Sequence, residues 1–517
     1  MRIDRRDFLG ALAGAAVAST LKASAQEASF SGSASVSKLA SDPRRPQFHF
    51  LPPANWMNDP NGPIYWNGNY HMFYQTNPKG AFWAEMHWGH AVSEDMVHWT
   101  HLPIALSPTP DSPDSEGCFS GTAIVEENRV LMFYTGVRAV PRDEATSKDD
   151  ANSFRETQCL AVANDPDLTS WSKAQAPVIA LPPEGMIVNG FRDPSPWRQG
   201  EWWYMVLGSG QASQGGTVLL YRSKDLRKWE FMHVLVGRDQ DGPGKFDPFD
   251  PWDVWECPEF FPLEDRHVLI YSTHGKVYWR AGKLDPNTMT FRTERAGILD
   301  YGTYYAPKTQ LDKAGNRIIW GWIPERRPLE EYKSAGWAGL MSLPRVLTLA
   351  QDGSLLMEVA GTVNQLRTRE KSLRVTAEDE KNRNEVNAMC IDGCCGELHV
   401  RVRRTAQPFQ LGLLGSIDNA TSWITLKYDP LHRKQVFIDS HPIPVSLRDD
   451  EDLEMHMYVD GSVIEVFVNR QAAWTKRFYA NSNSPLDLCL QWTGTTTNIA
   501  SLSVWQLTPI SNDRLTT

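Results

Sequence analysis

Two short patterns recur along the first two-thirds of this chain, and their recurrence narrows the possible folds. A turn followed by an aromatic strand appears as Gly68-Asn69-Tyr70-His71-Met72-Phe73-Tyr74 and again as Gly200-Glu201-Trp202-Trp203-Tyr204-Met205-Val206. A Ser-x-Asp turn closing on Trp appears as Ser93-Glu94-Asp95-Met96-Val97-His98-Trp99 and as Ser223-Lys224-Asp225-Leu226-Arg227-Lys228-Trp229. Between 47 and 357, aromatic and β-branched runs such as 130–134, 268–272 and 317–322 are separated by Gly, Asp, Asn and Pro, which reads as strands joined by turns. Repetition of one small sheet favours a radial array of four-stranded blades around a channel, an arrangement with few open sheet edges. The spacing alone allows several blade counts. After a polar connector at 358–370, residues 371–511 again alternate in strand fashion and read as a β-sandwich, with a short tail at 512–517. The fold class is all-β.

A length of 517 residues exceeds what one core usually supports, so two domains are expected. With 52 basic and 62 acidic residues, the net charge of −10 argues against a nucleic-acid or anionic-membrane partner. The N-terminus reads as an address: Arg5-Arg6-Asp7-Phe8-Leu9 precedes a small-residue apolar run, and Ala23-Ser24-Ala25 supplies a cleavage pattern. This resembles a twin-arginine signal over 1–25, followed by an extension at 26–46, and places the mature protein in the periplasm or outside the cell. The apolar run is shorter than the roughly 20 residues a membrane span needs. Seven cysteines form no zinc-type pair of pairs; a bridge from the 390–395 cluster to Cys489 is open in an oxidising compartment, without an assignment.

Chemistry enters with three acidic motifs far apart in the chain: Trp56-Met57-Asn58-Asp59-Pro60-Asn61-Gly62, Phe191-Arg192-Asp193-Pro194 and Trp255-Glu256-Cys257-Pro258. Each sets a carboxylate beside a Pro that stiffens the backbone. Cleaving a glycosidic bond with retention requires one carboxylate to attack the anomeric carbon and one carboxylic acid, roughly 5–5.5 Å away, to protonate the leaving oxygen. Singly, each motif is an ordinary turn.

Together, in this order, they resemble glycoside hydrolase family 32, the β-fructofuranosidases. The likeness extends to His49-Phe50, 73–80, Trp88-Gly89-His90-Ala91, Phe119-Ser120-Gly121, Tyr304-Tyr305-Ala306-Pro307 and Leu343-Pro344-Arg345. It implies a five-bladed propeller followed by the sandwich, with the site at the bottom of a funnel. It also implies Asp59 as nucleophile, Glu256 as acid/base and Asp193 as the acceptor of fructosyl hydroxyls. Asn58, Gln75 and Ser120 are implied as polar contacts to the sugar, and Trp56, Trp83 and Phe119 as its apolar wall. Arg192 and Tyr305 join the substrate-binding set, and Trp337 is expected near the leaving-group side. No cofactor or metal is required. The expected substrates are sucrose and the ends of fructans such as levan and inulin, hydrolysed in exo fashion; oligomeric state is open.

The same residues admit other readings. A fructosyltransferase would use the same three carboxylates with a sugar as acceptor, an inert fructan-binding propeller would not need them, and an arabinan- or xylan-type glycosidase would ignore sucrose. Cys257 lacks a local His partner for a thiol mechanism. His71, His87, His90, His98 and His101 lack a metal-ligand arrangement and read as core and loop residues. Asp460 and Glu465, in Tyr458-Val459-Asp460-Gly461-Ser462-Val463-Ile464-Glu465, read as turn and solvent-face residues of a hairpin.

Overall fold

The computed structural model describes residues 33–148, 151–237, 250–375, 380–403, 407–415, 422–432, 434–448, 451–479 and 487–511. The expected signal at 1–25 and the tail at 512–517 lie outside the described residues. Among the described residues, no helix is long and apolar enough to cross a membrane.

The chain from 55 to 359 folds as successive antiparallel sheets whose opening strands are Asn55–Trp66, Gly117–Glu126, Val188–Gln199, Glu256–Leu263 and Tyr305–Leu311. Each opening strand contacts the next, and Tyr305–Leu311 returns to contact Asn55–Trp66, which closes a ring: a β-propeller. Strand alternation explains the apolar runs. In the third sheet Met205 and Leu207 pack on the second sheet's Phe133 and Leu160, whereas Tyr204 and Val206 pack on the fourth sheet's Leu269 and Tyr271. Successive side chains point to opposite faces, so a blade between two others needs apolar residues at both parities.

The Ser-x-Asp repeat forms the turn before a blade's outermost strand. Ser93 Oγ accepts from the Met96 amide (2.8 Å) while Asp95 Oδ1 accepts from the Val97 and His98 amides (2.9 and 2.8 Å). Ser223 and Asp225 repeat this with Leu226, Arg227 and Lys228. The turn places a buried Met96 or Leu226 at positive φ, and Leu168 and Met289 occupy the matching position in the second and fourth sheets. Positive φ is rare for bulky apolar residues; here the side chain's burial and the Asp-to-amide bonds hold it.

The C-terminal module is a sandwich. One sheet contains Arg367–Leu373, Ile499–Leu507, Cys395–Val402, Leu453–Asp460, Val463–Val468 and Ala472–Arg477, and the other is built on Leu488–Thr493, Phe409–Gly415 and Ser422–Tyr428. Their inner faces meet in a core including Leu398, Val400, Leu411, Leu413, Met455 and Val466. Cys390 and Cys489, opposite each other across strands, are disulfide-bonded, and the other five cysteines are buried thiols. The stretch 358–370, expected as a polar connector, is largely ordered structure. It holds the end of Leu355–Val359, a 3₁₀ turn at Gly361–Leu366 and the start of a sandwich strand, since polar side chains suit an outer sheet face as well as a linker.

The two modules share a sheet and a salt-bridge cluster. Phe291–Asp300, at the edge of the fourth propeller sheet, pairs in parallel with Ala472–Arg477 through Asp300 and Ala473, so the sandwich covers an edge that would otherwise be open. Beside this seam Asp460 and Glu465 are wholly buried, which corrects their reading as turn and solvent-face residues. Asp460 accepts from the amides of Phe48 and His49 (both 2.8 Å) and from His49 Nδ1 (2.8 Å). Glu465 accepts from His49 Nε2 (2.9 Å), the Leu343 amide (2.7 Å) and Arg345, and Arg345 also reaches Asp300 (3.0 Å). Burial opposes charge on Glu465, but Arg345 and His49 outweigh it and hold its pKa down to about 2. Burial likewise opposes charge on His49, and its bonds to Asp460 and Glu465 raise its pKa nonetheless.

Candidate active site

At four of the five opening strands the same backbone device recurs. Two residues bulge opposite one partner residue, the first with positive φ and the second Pro: Gly62-Pro63, Asp193-Pro194, Cys257-Pro258 and Ala306-Pro307. Bulges turn a strand and re-aim its side chains, and the left-handed conformation of a residue before Pro is held here by tertiary structure against its local preference. The motifs legible in the sequence are therefore one kink repeated around the ring. Asp193 occupies the kink itself, Glu256 precedes it by one residue, and Asp59 lies three residues before Gly62 at that strand's other bulge, so their side chains leave the strands at different levels.

Asp59, Asp193 and Glu256 are all buried. Asp59 Oδ2 accepts from Ser120 (2.6 Å) and Oδ1 from Asn58 (3.1 Å). Asn58 also donates to Gln75 Oε1 (2.6 Å), Gln75 donates to Ser120 Oγ (2.8 Å), and Trp56 Nε1 donates to Asn58 Oδ1 (2.7 Å). Five of the expected residues thus form one network whose donors converge on Asp59. Glu256 accepts from Tyr305 OH at Oε2 (2.6 Å) and faces Arg192 Nη1 at Oε1 (3.3 Å). Arg192 is itself held by Glu156 (2.8 Å) and donates to Ser147 (3.1 Å), so it orients a carboxylate rather than forming a surface pair.

Cys257 joins these parts. Its amide donates to Asp193 Oδ2 (2.7 Å), and its thiol lies 3.6 Å from Asp59 Oδ2, while the preceding residue is Glu256. The Asp193 amide is in turn bonded to Thr135 Oγ1 (2.8 Å). Burial pushes the pKa of Asp193 up to about 6, partly offset by the positive charges of Arg192 and Lys308. Beneath the site Lys308 pairs with Glu259 (3.0 Å), both buried, and Glu259 also accepts from Ser195 (2.9 Å) and Thr309 Oγ1 (2.8 Å). This ties the third, fourth and fifth opening strands together under the carboxylates.

The cavity above has a volume of about 210 Å³. Trp56, Asn58, Gln75, Trp83, Phe119, Ser120, Arg192, Asp193 and Tyr305 all line it, whereas Asp59 and Glu256 are not lining residues and are bonded to four that are, Ser120 and Asn58, and Tyr305 and Arg192. It is smaller than the roughly 300–1,000 Å³ of drug-sized sites, a scale that suits one sugar ring at the bottom. Trp83 and Phe119 meet edge to face at 6.0 Å, and Trp56 packs at 6.0 Å from Trp322. Trp337 is the exception to the expected set. Its strand pairs with that of Trp56, but alternation points Ala338 toward the Trp56 cluster and Trp337 away, where it donates to Asp42 (2.8 Å) under the guanidinium of Arg327. Its neighbours in sequence, Gly336 and Gly339, carry no signal of that direction.

Several contributors were not foreseen. Phe154, Trp322 and Glu325 to Arg327 line the cavity, and Glu156 and Lys308 act from behind it. Glu325 lies between Pro324 and Pro328 but outside the three acidic motifs that the sequence brought forward, and the others sit in no acidic motif. The histidines distribute as core and loop residues: His71 and His90 stack in the first sheet, His101 packs on Phe50, and exposed His98 pairs with half-buried Asp95.

The family model for the glycosyl hydrolases family 32 N-terminal domain matches residues 49–359, and that for the family 32 C terminal matches 362–506. The chain belongs to glycoside hydrolase family 32. It is a glycoside hydrolase of the β-fructofuranosidase type. Among relatives, it is 34% identical over 454 residues to a sucrose-6-phosphate hydrolase of Escherichia coli, with 84% of this chain and 89% of that protein covered. It is 33% identical over 463 residues to the Escherichia coli raffinose invertase, covering 85% and 90%. Fructan 1-exohydrolase IIa from Cichorium intybus superposes with a TM-score of 0.73 at 26% identity, covering 90% of this chain and 98% of that one. Its family members share the propeller-plus-sandwich architecture described above.

Proposed function

We propose that this protein is an exported, retaining, exo-acting β-fructofuranosidase that releases fructose from sucrose and from the ends of fructans. In this reading the propeller has five blades, one for each opening strand. Asp59 attacks the anomeric carbon of the fructosyl unit and forms a covalent intermediate, and Glu256 protonates the leaving oxygen and then activates water. The Ser120 and Asn58 donors fix the Asp59 carboxylate in one orientation, so little reorganisation is needed at the moment of attack. Asp193 accepts the fructosyl hydroxyls and, as an anion, stabilises the positive charge that develops on the ring, more in the transition state than in the ground state. Asn58, Gln75 and Ser120 donate and accept as sugar hydroxyls do, and Trp56, Trp83 and Phe119 supply the apolar wall.

The observation that carries this reading is Cys257, whose amide holds Asp193 and whose thiol contacts Asp59 directly after Glu256 in the chain. One residue thereby couples the three acidic segments at one cavity. The pocket's single-ring scale supports exo action, and a cross-strand disulfide suits the oxidising compartment that the twin-arginine pattern implies.

The test is parallel product analysis on sucrose, inulin and levan. Equimolar glucose and fructose from sucrose, with fructose as the sole early product from a fructan, is the expected result. A persistent fructose deficit means transfer to sugar, and binding without release means an inert module. Fractionation of the native host for the processed chain checks export.

A further inference from the structure

The sandwich takes part in the substrate site through a polar relay that crosses the module boundary. Residues 325–327 line the cavity. They follow the strand Arg317–Ile323 and form its upper wall: Asp193 and Ser120 at the bottom are buried, whereas Arg326 is exposed. What shapes this wall is Glu325. Its Oε1 accepts from the amides of Arg326 (2.9 Å) and Arg327 (3.0 Å) and from Arg327 Nε (3.0 Å), while Oε2 accepts from Arg327 Nη2 (2.8 Å). One carboxylate thus folds its own three-residue turn.

Two sandwich residues hold that carboxylate in place. The Tyr479 hydroxyl donates to Glu325 Oε1 and accepts from the Arg326 amide (3.0 Å). Arg477 Nη2 lies 3.5 Å from Glu325 Oε2 and is anchored to Ser462 Oγ (3.0 Å), on the turn between two sandwich strands. Burial opposes charge on Glu325, but Arg477, Arg327 and Tyr479 hold its pKa down to about 2, which favours the anion that these donors bond. Glu325 folds the turn locally, and the bond from the Arg326 amide to Tyr479, 153 residues further along the chain, fixes that turn against the sandwich.

We infer that Tyr479 is a positioning residue for the leaving-group side of the site. This rests on the function proposed above and deepens it. In a blind pocket the terminal fructosyl unit enters first, so the group it is attached to lies at the mouth, where the guanidinium of Arg326 can donate to its hydroxyls. Tyr479 does not touch the sugar; it sets the wall that does. Specificity beyond the first ring is then partly a property of how the sandwich docks.

The experiment compares Tyr479→Phe with wild type on two substrates, sucrose and methyl β-D-fructofuranoside, whose leaving group is too small to reach the mouth. The expected result is a rise in KM of about fivefold to tenfold for sucrose, the scale of one lost hydrogen bond, with kcat for sucrose and both constants for the methyl fructoside within about twofold. Arg326→Ala, which removes an exposed side chain, should show the same selective rise and carries the test should Tyr479→Phe misfold. An equal loss on both substrates indicates a general structural role and overturns the inference, as do unchanged constants on both. Wild-type protein inactive on both substrates would instead overturn the proposed function itself.

Discussion

Two buried acidic clusters lie in this molecule, and they have opposite electrostatic settings. At the module seam, Asp300, Asp460 and Glu465 face Arg345 and His49, and nearly every carboxylate oxygen has a charged or amide donor. In the pocket, Asp59, Asp193 and Glu256 face mainly neutral donors, Ser120, Asn58, Tyr305 and a backbone amide, with Arg192 as the cation in direct contact. Glu465 is held down to about 2 while Asp193 is pushed up to about 6. Burial is common to both, so burial does not make an acid reactive. Direct bonding to cations separates them: Arg345 and His49 bond Glu465, whereas Arg192 and Lys308 act on Asp193 through their charge, and a fully neutralised carboxylate has no field left with which to stabilise a developing positive charge.

The sharpest separation of the two clusters comes from mutation. Asp59→Ala should lower kcat/KM on the order of 10⁴-fold or more, and Glu256→Gln by roughly 10²- to 10⁴-fold, with little change in thermal midpoint. Steady-state kinetics and a melting curve on the same samples check this, and near wild-type turnover in either breaks the assignment. Arg345→Met should do the converse. Leaving Asp300 and Glu465 buried without their cation should cost about 3–5 kcal/mol in unfolding free energy, read from urea denaturation, while protein that remains folded keeps most of its turnover. An Arg345→Met protein as stable as wild type would break the comparison at its other end.

Acid should split the clusters too. Between about pH 4 and 6 the folded protein keeps a proton on Asp193 that the unfolded chain has released, so this group favours folding as pH falls, yet the anion that the proposed mechanism uses is lost. Activity should therefore drop up to tenfold per unit below about pH 6. Glu465 contributes stability above about pH 4.5 that disappears only as pH falls toward about 2. His49 sets the other limit: its raised pKa contributes stability below about 6.5, lost as pH rises through its folded value. A pH-rate profile beside a pH-stability profile should show activity failing first on the acid side; coincident failure would contradict the distinction. The smallest effect is expected for Cys257→Ala. It keeps the amide that holds Asp193 and removes only the thiol near Asp59, so kcat should change by less than about tenfold; complete loss would revive a thiol mechanism.

Much of the pocket was legible because its residues sit in a local device. Asp-Pro and Cys-Pro steps mark a bulge wherever they fall on an opening strand, and Trp56 near the first of them marks a wall, whereas Phe191 and Trp255 near the other two pack in the cores between sheets. What stayed hidden has its partners far away in the chain. Asp460 and Glu465 carry a hairpin signal that is correct for the backbone and silent about the side chains, whose partners His49 and Arg345 lie more than a hundred residues earlier. Trp337 lies on a strand that borders the site, and only the parity of its pairing with Asn55 turns its ring behind the wall. Glu156, Lys308 and Tyr479 support the site through charge and hydrogen bonds that leave no pattern in their own neighbourhoods.

The sequence by itself determined the all-β class, the repeating unit and the family, and singled out the three acidic motifs, because each depends on periodicity and on short-range backbone chemistry that a few adjacent residues fix. Tertiary structure alone decided which acids are neutralised and which keep their field, and that the sandwich bonds the segment 325–327 that lines the propeller's cavity. Those depend on distances between segments brought together by closing the ring and docking the second module, and electrostatic interaction follows distance in space rather than separation along the chain.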